Sequence, residues 1–204
     1  GEIVAATSGI PYHRYVREHI LEPLGMSRTS PEIPAGLWGR EMAVGYSAIT
    51  REGARVPMPI FQARGIAPAA GFASTVEDLA RFASWQFRLL AGHGSEILDS
   101  NTLREMHRVH WVDPGWETTW GLGFTVFRSG GQTFVGHGGS CPGYRSHLAL
   151  QTREKVALIF MANALGVTPE EFTARAYEIV APAIKGAQDP ERKVKEAEPS
   201  LERY

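Results

Sequence analysis

The run from Trp116 onward constrains the fold more than any other feature. Four segments follow one another there with no helical stretch between them: WGLGFTVFR, QTFVGH, RSHLALQT and KVALIFMAN. Each is rich in aromatic and β-branched residues, which fit a pleated surface. Ser129-Gly130-Gly131 reads as one hairpin turn and Thr152-Arg153-Glu154 as another. Strands joined so tightly must pair antiparallel, because a parallel crossover needs a much longer connection. Three or four consecutive antiparallel strands are therefore expected. KVALIFMAN is apolar throughout, which predicts burial on both of its faces. A helix then closes the unit, with Thr168 as its cap, Pro169 at the first position and Glu171 at the third. It is expected to run to about Ile184, with Phe172, Ala176, Ile179, Val180 and Ala183 on one side.

The first half reads as helices separated by irregular chain. GEIVAATSG is helical in pattern and stops at Ser8-Gly9; a second helix spans Pro11 to about Leu21 and ends at Pro23 and Gly25. Residues 27–70 are rich in Pro and Gly and read as surface-hugging structure with a small β-ribbon near MAVGYSAI. Ser74 and Glu77 match a capping box for a helix reaching Gly92, and Asp99 or Ser100 caps another that ends near Val109. Residues 185–204 are charged, with two prolines, and read as a linker or frayed end. The chain thus divides into a partial helical subdomain with irregular loops at 1–115, antiparallel strands with a C-terminal helix of the same domain at 116–184, and a charged tail at 185–204.

Composition excludes several classes. A formal net charge of −1 gives no overall field to attract nucleic acid. There is no run of about 18 apolar residues, so no transmembrane helix is expected. Cys141 is the only cysteine, so no intramolecular disulfide can form. His107 and His110 lie three apart on a predicted helix, but no third ligand accompanies them; they read as surface or interface histidines, and no metal is expected. GHGGSCPG has Cys141 where a dinucleotide fingerprint needs its last glycine, and no phosphate-binding P-loop occurs, so no cofactor is expected.

The chemistry-bearing feature is Gly136-His137-Gly138-Gly139-Ser140, placed at the end of the QTFVGH strand. Glycines around a histidine let the backbone approach a ligand, and exposed N–H groups there can meet a developing oxyanion. By itself the pentad is also what a tight turn with a surface histidine would show. Its context adds to it. LEPLGMSRTS, PAAGFASTVEDLARF, GLGF, GHGGSCPGYRS and ALIFMAN occur in that order. This ordered set resembles the C-terminal half of the serine β-lactamase family, which includes class C β-lactamases, D,D-peptidases, D-aminopeptidases and related esterases. The resemblance covers residues 1–184.

The resemblance implies an α+β fold of the sandwich type, an antiparallel sheet flanked by helices, with part of a helical subdomain. It implies acyl-enzyme serine hydrolase chemistry on a small-molecule ester, amide or peptide. Such enzymes use three elements: S-x-x-K, with the nucleophile; Y-x-N; and K-T-G or H-x-G on a strand beside the substrate. No Ser here is followed three places later by Lys, and no Tyr is followed two places later by Asn. Only His137-Gly138-Gly139 is present. The resemblance places Y-x-N just upstream of Gly1, so the covalent machinery is expected in a missing N-terminal part of the same protein.

By the same resemblance the catalytic contributions here are those of His137 and Ser140. The Ser140 N–H would be one oxyanion donor. His137, in place of Lys, would hydrogen-bond the missing Tyr or the polar end of the substrate. His137, Gly138, Gly139 and Ser140 together would bind substrate, laid antiparallel along the strand. Gly138 stands where a Thr hydroxyl helps hold a substrate carboxylate, which favours an esterase or peptidase over an efficient β-lactamase. Pro68–Gly71 is either the opposite rim or a turn feeding the Ser74 cap. Tyr144 reads as core or cleft wall, Arg145 as solvated or facing an anionic substrate, and Cys141 as a small filler. An α/β-hydrolase would need G-x-S-x-G downstream of the HGG stretch, and none exists. The reading from another class is a non-catalytic module of the same fold that binds peptides or esters.

Overall fold

The computed structural model describes residues 1–94, 97–116 and 118–188. The chain opens with α1 (Glu2–Ser8), closed by Gly9 in the left-handed conformation at φ 69°. Then comes α2 (Tyr12–Val16), capped by Pro11, which continues through a π-helical turn, Arg17–Leu21. Residues 27–66 are irregular, as expected. The anticipated ribbon is reduced to ladder-like bonds between residues 45–47 and 56–58: Ser47 N–H donates to the Val56 carbonyl and Met58 N–H to that of Gly45. Pro68 and its neighbours form a one-turn helix, α3 (Ala67–Ala70), where a loop was expected. Two longer helices follow, α4 (Val76–Leu90) and α5 (Ser100–His107), the second capped by the Asp99 carboxylate.

Six strands then form one open antiparallel sheet in sequence order: β1 (Trp111–Val112), β2 (Thr119–Trp120), β3 (Thr125–Ser129), β4 (Gln132–Cys141), β5 (Tyr144–Gln151) and β6 (Val156–Ala162). The four longer ones answer to the four segments read from the sequence, and β1 and β2 add two short ones. The chain returns over one face as α6 (Pro169–Gln188). This helix runs past Ile184, so the charged stretch starts helical; residues 189–204 of the expected tail lie outside the described residues.

Alternation assigns the faces of the sheet. Phe134, Ala149 and Leu158 point to α6 and bury against Tyr177 and Ala181. Phe134 meets Tyr177 edge-on with ring centroids 4.9 Å apart. Val135 and Leu150, paired in register, are buried on the opposite face. KVALIFMAN is touched by both α4 and α6, yet it is less buried than expected. Of β6 only Leu158 is buried, and Met161 is 39% exposed. β6 also ends the strand order, so one long edge lacks a neighbouring strand among the described residues.

The helix start expected at Ser74 falls one residue later. Thr75 caps α4 by accepting from Asp78 N–H. The Ser74 hydroxyl is engaged elsewhere, 2.7 Å from that of Thr29. This contact belongs to a clasp between residues 28–30 and 73–78. Ser30 and Ala73 exchange backbone hydrogen bonds at 2.9 and 3.0 Å, and the fully buried Asp78 carboxylate accepts from Arg28 N–H and Thr29 Oγ1. Two of the segments that carried the resemblance are thus the halves of one joint.

His107 is not the surface residue expected. Its Nε2 lies 2.9 Å from the buried Gln86 Oε1, and its ring meets Phe124 edge-on at 4.8 Å. Burial pushes its pKa down to about 4, against an ordinary 6.5. The folded chain therefore holds the imidazole neutral between those values, while the unfolded chain binds a proton. Stability rises with pH across that window: the contribution is complete above about pH 6.5 and is lost as pH falls towards 4. The full shift would correspond to ~3 kcal/mol, which partial exposure of the ring reduces to about 1–2 kcal/mol. We expect His107→Asn to lose less stability than the parent chain between about pH 7 and pH 4.5, read from urea midpoints. Equal acid losses would count against this account. His110 is exposed and sits 2.9 Å from the Glu105 carbonyl. Among the described residues no cluster of three His, Cys, Asp or Glu could hold a metal ion.

Candidate active site

The pentad lies inside β4 and not in a turn. β4 extends to Cys141, and the turn beyond it is Pro142-Gly143, with Gly143 at φ 86°. Proline at the first and glycine at the second central position is what a type II turn requires. The two backbones of Gly143 and Gly45 approach closely there: a Cβ on Gly143 would come within 2.7 Å of the Gly45 Cα. The Tyr144 hydroxyl donates to the Ala43 carbonyl at 2.6 Å, so this half-buried ring pins the hairpin to the irregular chain.

β4 is paired differently along its two edges. On one side β5 accompanies it all the way, from Val135↔Leu150 to Cys141↔Tyr144. On the other side pairing with β3 stops at Thr125↔Gly136. From His137 to Cys141 that edge has no strand beside it among the described residues. The Gly136 carbonyl accepts from Thr125 Oγ1 at 2.9 Å, so it faces β3. By the alternation of an extended strand, the backbone N–H and C=O of Gly138 and Ser140 face the same open edge. His137, Gly138, Gly139 and Ser140 are all exposed.

The site residues named from the sequence are therefore brought together on one accessible edge. His137 Nδ1 lies 2.6 Å from the Gly138 carbonyl. A carbonyl only accepts, so Nδ1 carries the proton, which in the neutral tautomer leaves Nε2 as the acceptor. Its ring centroid is 5.9 Å from that of the half-buried Trp120, which is paired with Thr125 at the start of β3. Cys141 is half-buried, and burial pushes its thiol pKa up, which fits a filler and not a nucleophile. Arg145 pairs with Ser140 and is partly buried, with its Nε enclosed and without a hydrogen-bond partner. The turn at Pro68 packs beside Gly1.

Four further residues support the strand, two of them beside it on β5. Ser146 is paired with Gly139, and a Cβ on Gly139 would overlap its Oγ. His147 is paired with Gly138 and buried. Its Nδ1 lies 2.7 Å from Thr173 Oγ1, which donates onward to the Glu170 carbonyl at 3.0 Å. With the hydroxyl proton so committed, His147 Nδ1 must be the donor. Burial lowers the His147 pKa, while the Glu170 carboxylate partly opposes this and His137 adds to it. Glu170 Oε1 lies 3.1 Å from where a Cβ on Gly138 would stand. Sequence reasoning missed these residues, although His147 and Ser146 were legible: a two-residue turn at Pro142-Gly143 dictates the register that places them opposite Gly138 and Gly139. Glu170 carried no such signal.

An open six-stranded antiparallel sheet with a helix returning over one face is an α+β fold of the β-lactamase and penicillin-binding-protein type. The chain belongs to the Beta-lactamase family, whose profile matches residues 1–182. It is 27% identical over 192 residues to Beta-lactamase-like protein 2 of Dictyostelium discoideum, covering 91% of this chain and 33% of that protein. It is 26% identical over 199 residues to the human Putative beta-lactamase-like 1, covering 97% and 37%. Among solved structures it resembles the octameric penicillin-binding protein homologue of Pyrococcus abyssi, with a TM-score of 0.75 and 25% identity over 98% of this chain and 45% of that one. A D-amino acid amidase of Ochrobactrum anthropi gives 0.62 and 25%, covering 93% and 57%. The chain spans about a third of the curated relatives it matches. No helix among the described residues is long and apolar enough to cross a membrane.

Proposed function

We propose that this chain is the substrate-facing part of a serine hydrolase that works through an acyl-enzyme, acting on an ester, amide or peptide. The observation that carries the reading is the free edge of β4 from His137 to Cys141. An extended acyl chain can add to such an edge by main-chain hydrogen bonds, with the Gly138 N–H and C=O as the first pair it meets. The Ser140 N–H, facing the same edge, is the donor this chain would offer to the oxyanion. His137 holds its Nδ1 proton on the Gly138 carbonyl and presents Nε2 to accept from a hydroxyl. That suits a partner Tyr or a polar end of the substrate.

The nucleophile of this reading lies outside the chain. S-x-x-K and Y-x-N do not occur in it, and it spans only part of each relative. Two features support a complementary part of the same protein. β6 leaves an apolar edge without a strand beside it among the described residues, and an uncovered edge is a template for pairing. Large apolar side chains such as Trp111, Trp116 and Ile66 are more than half exposed. Incubation with a fluorescent penicillin and with a fluorophosphonate, followed by intact mass measurement, is the test. The chain Gly1–Tyr204 is expected to stay unmodified, and the complete encoded protein to gain one adduct on the serine of an S-x-x-K. A stoichiometric serine adduct on the short chain would overturn the assignment of roles. A complete protein with neither motif nor adduct would favour the binding module.

A further inference from the structure

We propose that Trp120 is a specificity-determining residue of this site: beside His137 it forms a seat for a flat, apolar leaving group. This deepens the reading above and rests on it for the direction in which a substrate lies, though the binding it describes does not require turnover.

A ligand paired antiparallel with β4 points its carbonyl end towards His137 and its other end towards Cys141. With the reacting carbonyl at the Ser140 N–H, the acyl part therefore lies towards Cys141. The leaving group runs past Gly138 and reaches the end of the free edge, where pairing with β3 begins at Thr125↔Gly136.

That end is aromatic. Trp120 is paired with Thr125, one strand further out, and its ring centroid lies 5.9 Å from that of His137 with the planes tilted by 53°. His137 is exposed and Trp120 half-buried, so both rings keep surface open to a ligand. The loop from Trp120 to β3, Gly121-Leu122-Gly123-Phe124, carries no charge, and Leu122 is 48% exposed. A flat apolar group laid against the indole gains ring contact and leaves water. An anionic one loses hydration against the indole face, which supplies no hydrogen bond in return. The ordinary role of a tryptophan is to fill a core, as Trp85 does at 3% exposure. Trp120 stands outside the three buried clusters found among the described residues.

The test is a calorimetric titration of the complete encoded protein with N-acetylglycine benzylamide and N-acetylglycine ethylamide, two neutral ligands that differ only in the leaving group. The benzylamide is expected to bind about tenfold more tightly. Trp120→Ala should bring the two within about twofold of each other. Trp116→Ala, at an 83% exposed tryptophan of the same hairpin, should leave the parent ratio intact. Should Trp120→Ala not fold, Trp120→Leu keeps an apolar side chain without a ring face and should cut the ratio to about threefold. No binding of the benzylamide, equal affinities in the parent protein, or the same loss in Trp116→Ala would each overturn the inference. So would a fall in both affinities at a constant ratio in the Trp120 variants, which is what a merely structural role produces. The hydrolase reading is scored separately by acyl-enzyme formation. A benzyl preference that depends on Trp120, without any adduct, removes that reading and leaves the seat; an adduct with no benzyl preference removes the seat and leaves that reading.

Discussion

Replacing Gly136 with alanine will cost the chain ~3 kcal/mol and loosen the strand that carries His137. Gly136 is buried in β4, paired with Ala149 at the last point where β3, β4 and β5 are all in register. A Cβ there would overlap the Leu148 carbonyl oxygen and lie 2.9 Å from its carbon and 3.1 Å from the Ala149 Cα. These are backbone atoms, so no side-chain rotation relieves the contact. β5 must move, and its movement is passed to Leu148 and His147, which underlie His137 and Gly138. Overpacking of a well-filled interior costs about 1–3 kcal/mol, and a rigid backbone neighbour puts this site at the upper end. The urea midpoint should fall accordingly, and amide exchange at His137–Ser140 should quicken by at least about tenfold. Gly36→Ala is the control, because a Cβ there meets nothing within 4 Å. Similar midpoints for both variants, with unchanged exchange, would show that the β4–β5 contact is soft.

A loss of similar size is expected from Asp78→Ala. The carboxylate is fully buried, at 0% exposure. It accepts from Arg28 N–H at 2.8 Å and from Thr29 Oγ1 at 2.9 Å, and it pairs with Arg81. Arg81 is half-exposed and can turn to water. The Arg28 N–H and the Thr29 hydroxyl cannot follow so easily, and each unpaired buried donor costs about 1–3 kcal/mol. Alanine also removes a first-turn carboxylate that favours α4. The sum is ~3–4 kcal/mol of stability, measured by thermal or urea unfolding. Asp78→Asn keeps one acceptor and should lose about half as much. A loss under about 0.5 kcal/mol for the alanine variant would mean that the clasp between residues 28–30 and 73–78 is dispensable.

Much of this molecule was legible because its signals are local. Hairpin turns follow from Ser129-Gly130-Gly131, and helix starts from Asp99 and Thr168-Pro169. A turn needs only its own dihedral angles, and a cap only its own first amides. The same locality explains the errors. Ser74 and Thr75 are both good caps, and the choice between them rests with Thr29, which lies 45 positions away and takes the Ser74 hydroxyl. KVALIFMAN has the pattern of a strand buried on both faces, yet how far it is buried depends on what packs against it. His107 sits on a helix whose pattern cannot show that Gln86 and Phe124 meet it.

The site divides along the same line. Sequence order alone pointed to the family, to a strand reaching His137 and to the absence of S-x-x-K and Y-x-N from the chain, while the extension of that strand through Gly138, Gly139 and Ser140 came from the structure. The Pro142-Gly143 turn that sets the β4–β5 register lies beyond the strand end expected at His137. The tertiary structure decided that among the described residues no strand flanks β4 beyond Gly136, that the His137 proton sits on Nδ1, and that Glu170 fills the space Gly138 leaves. These depend on where β3 begins and where α6 lands, more than thirty positions from Gly138 along the chain in the case of Glu170. Periodicity carries no record of such encounters, because they arise only when the whole sheet is assembled and the last helix packs across it.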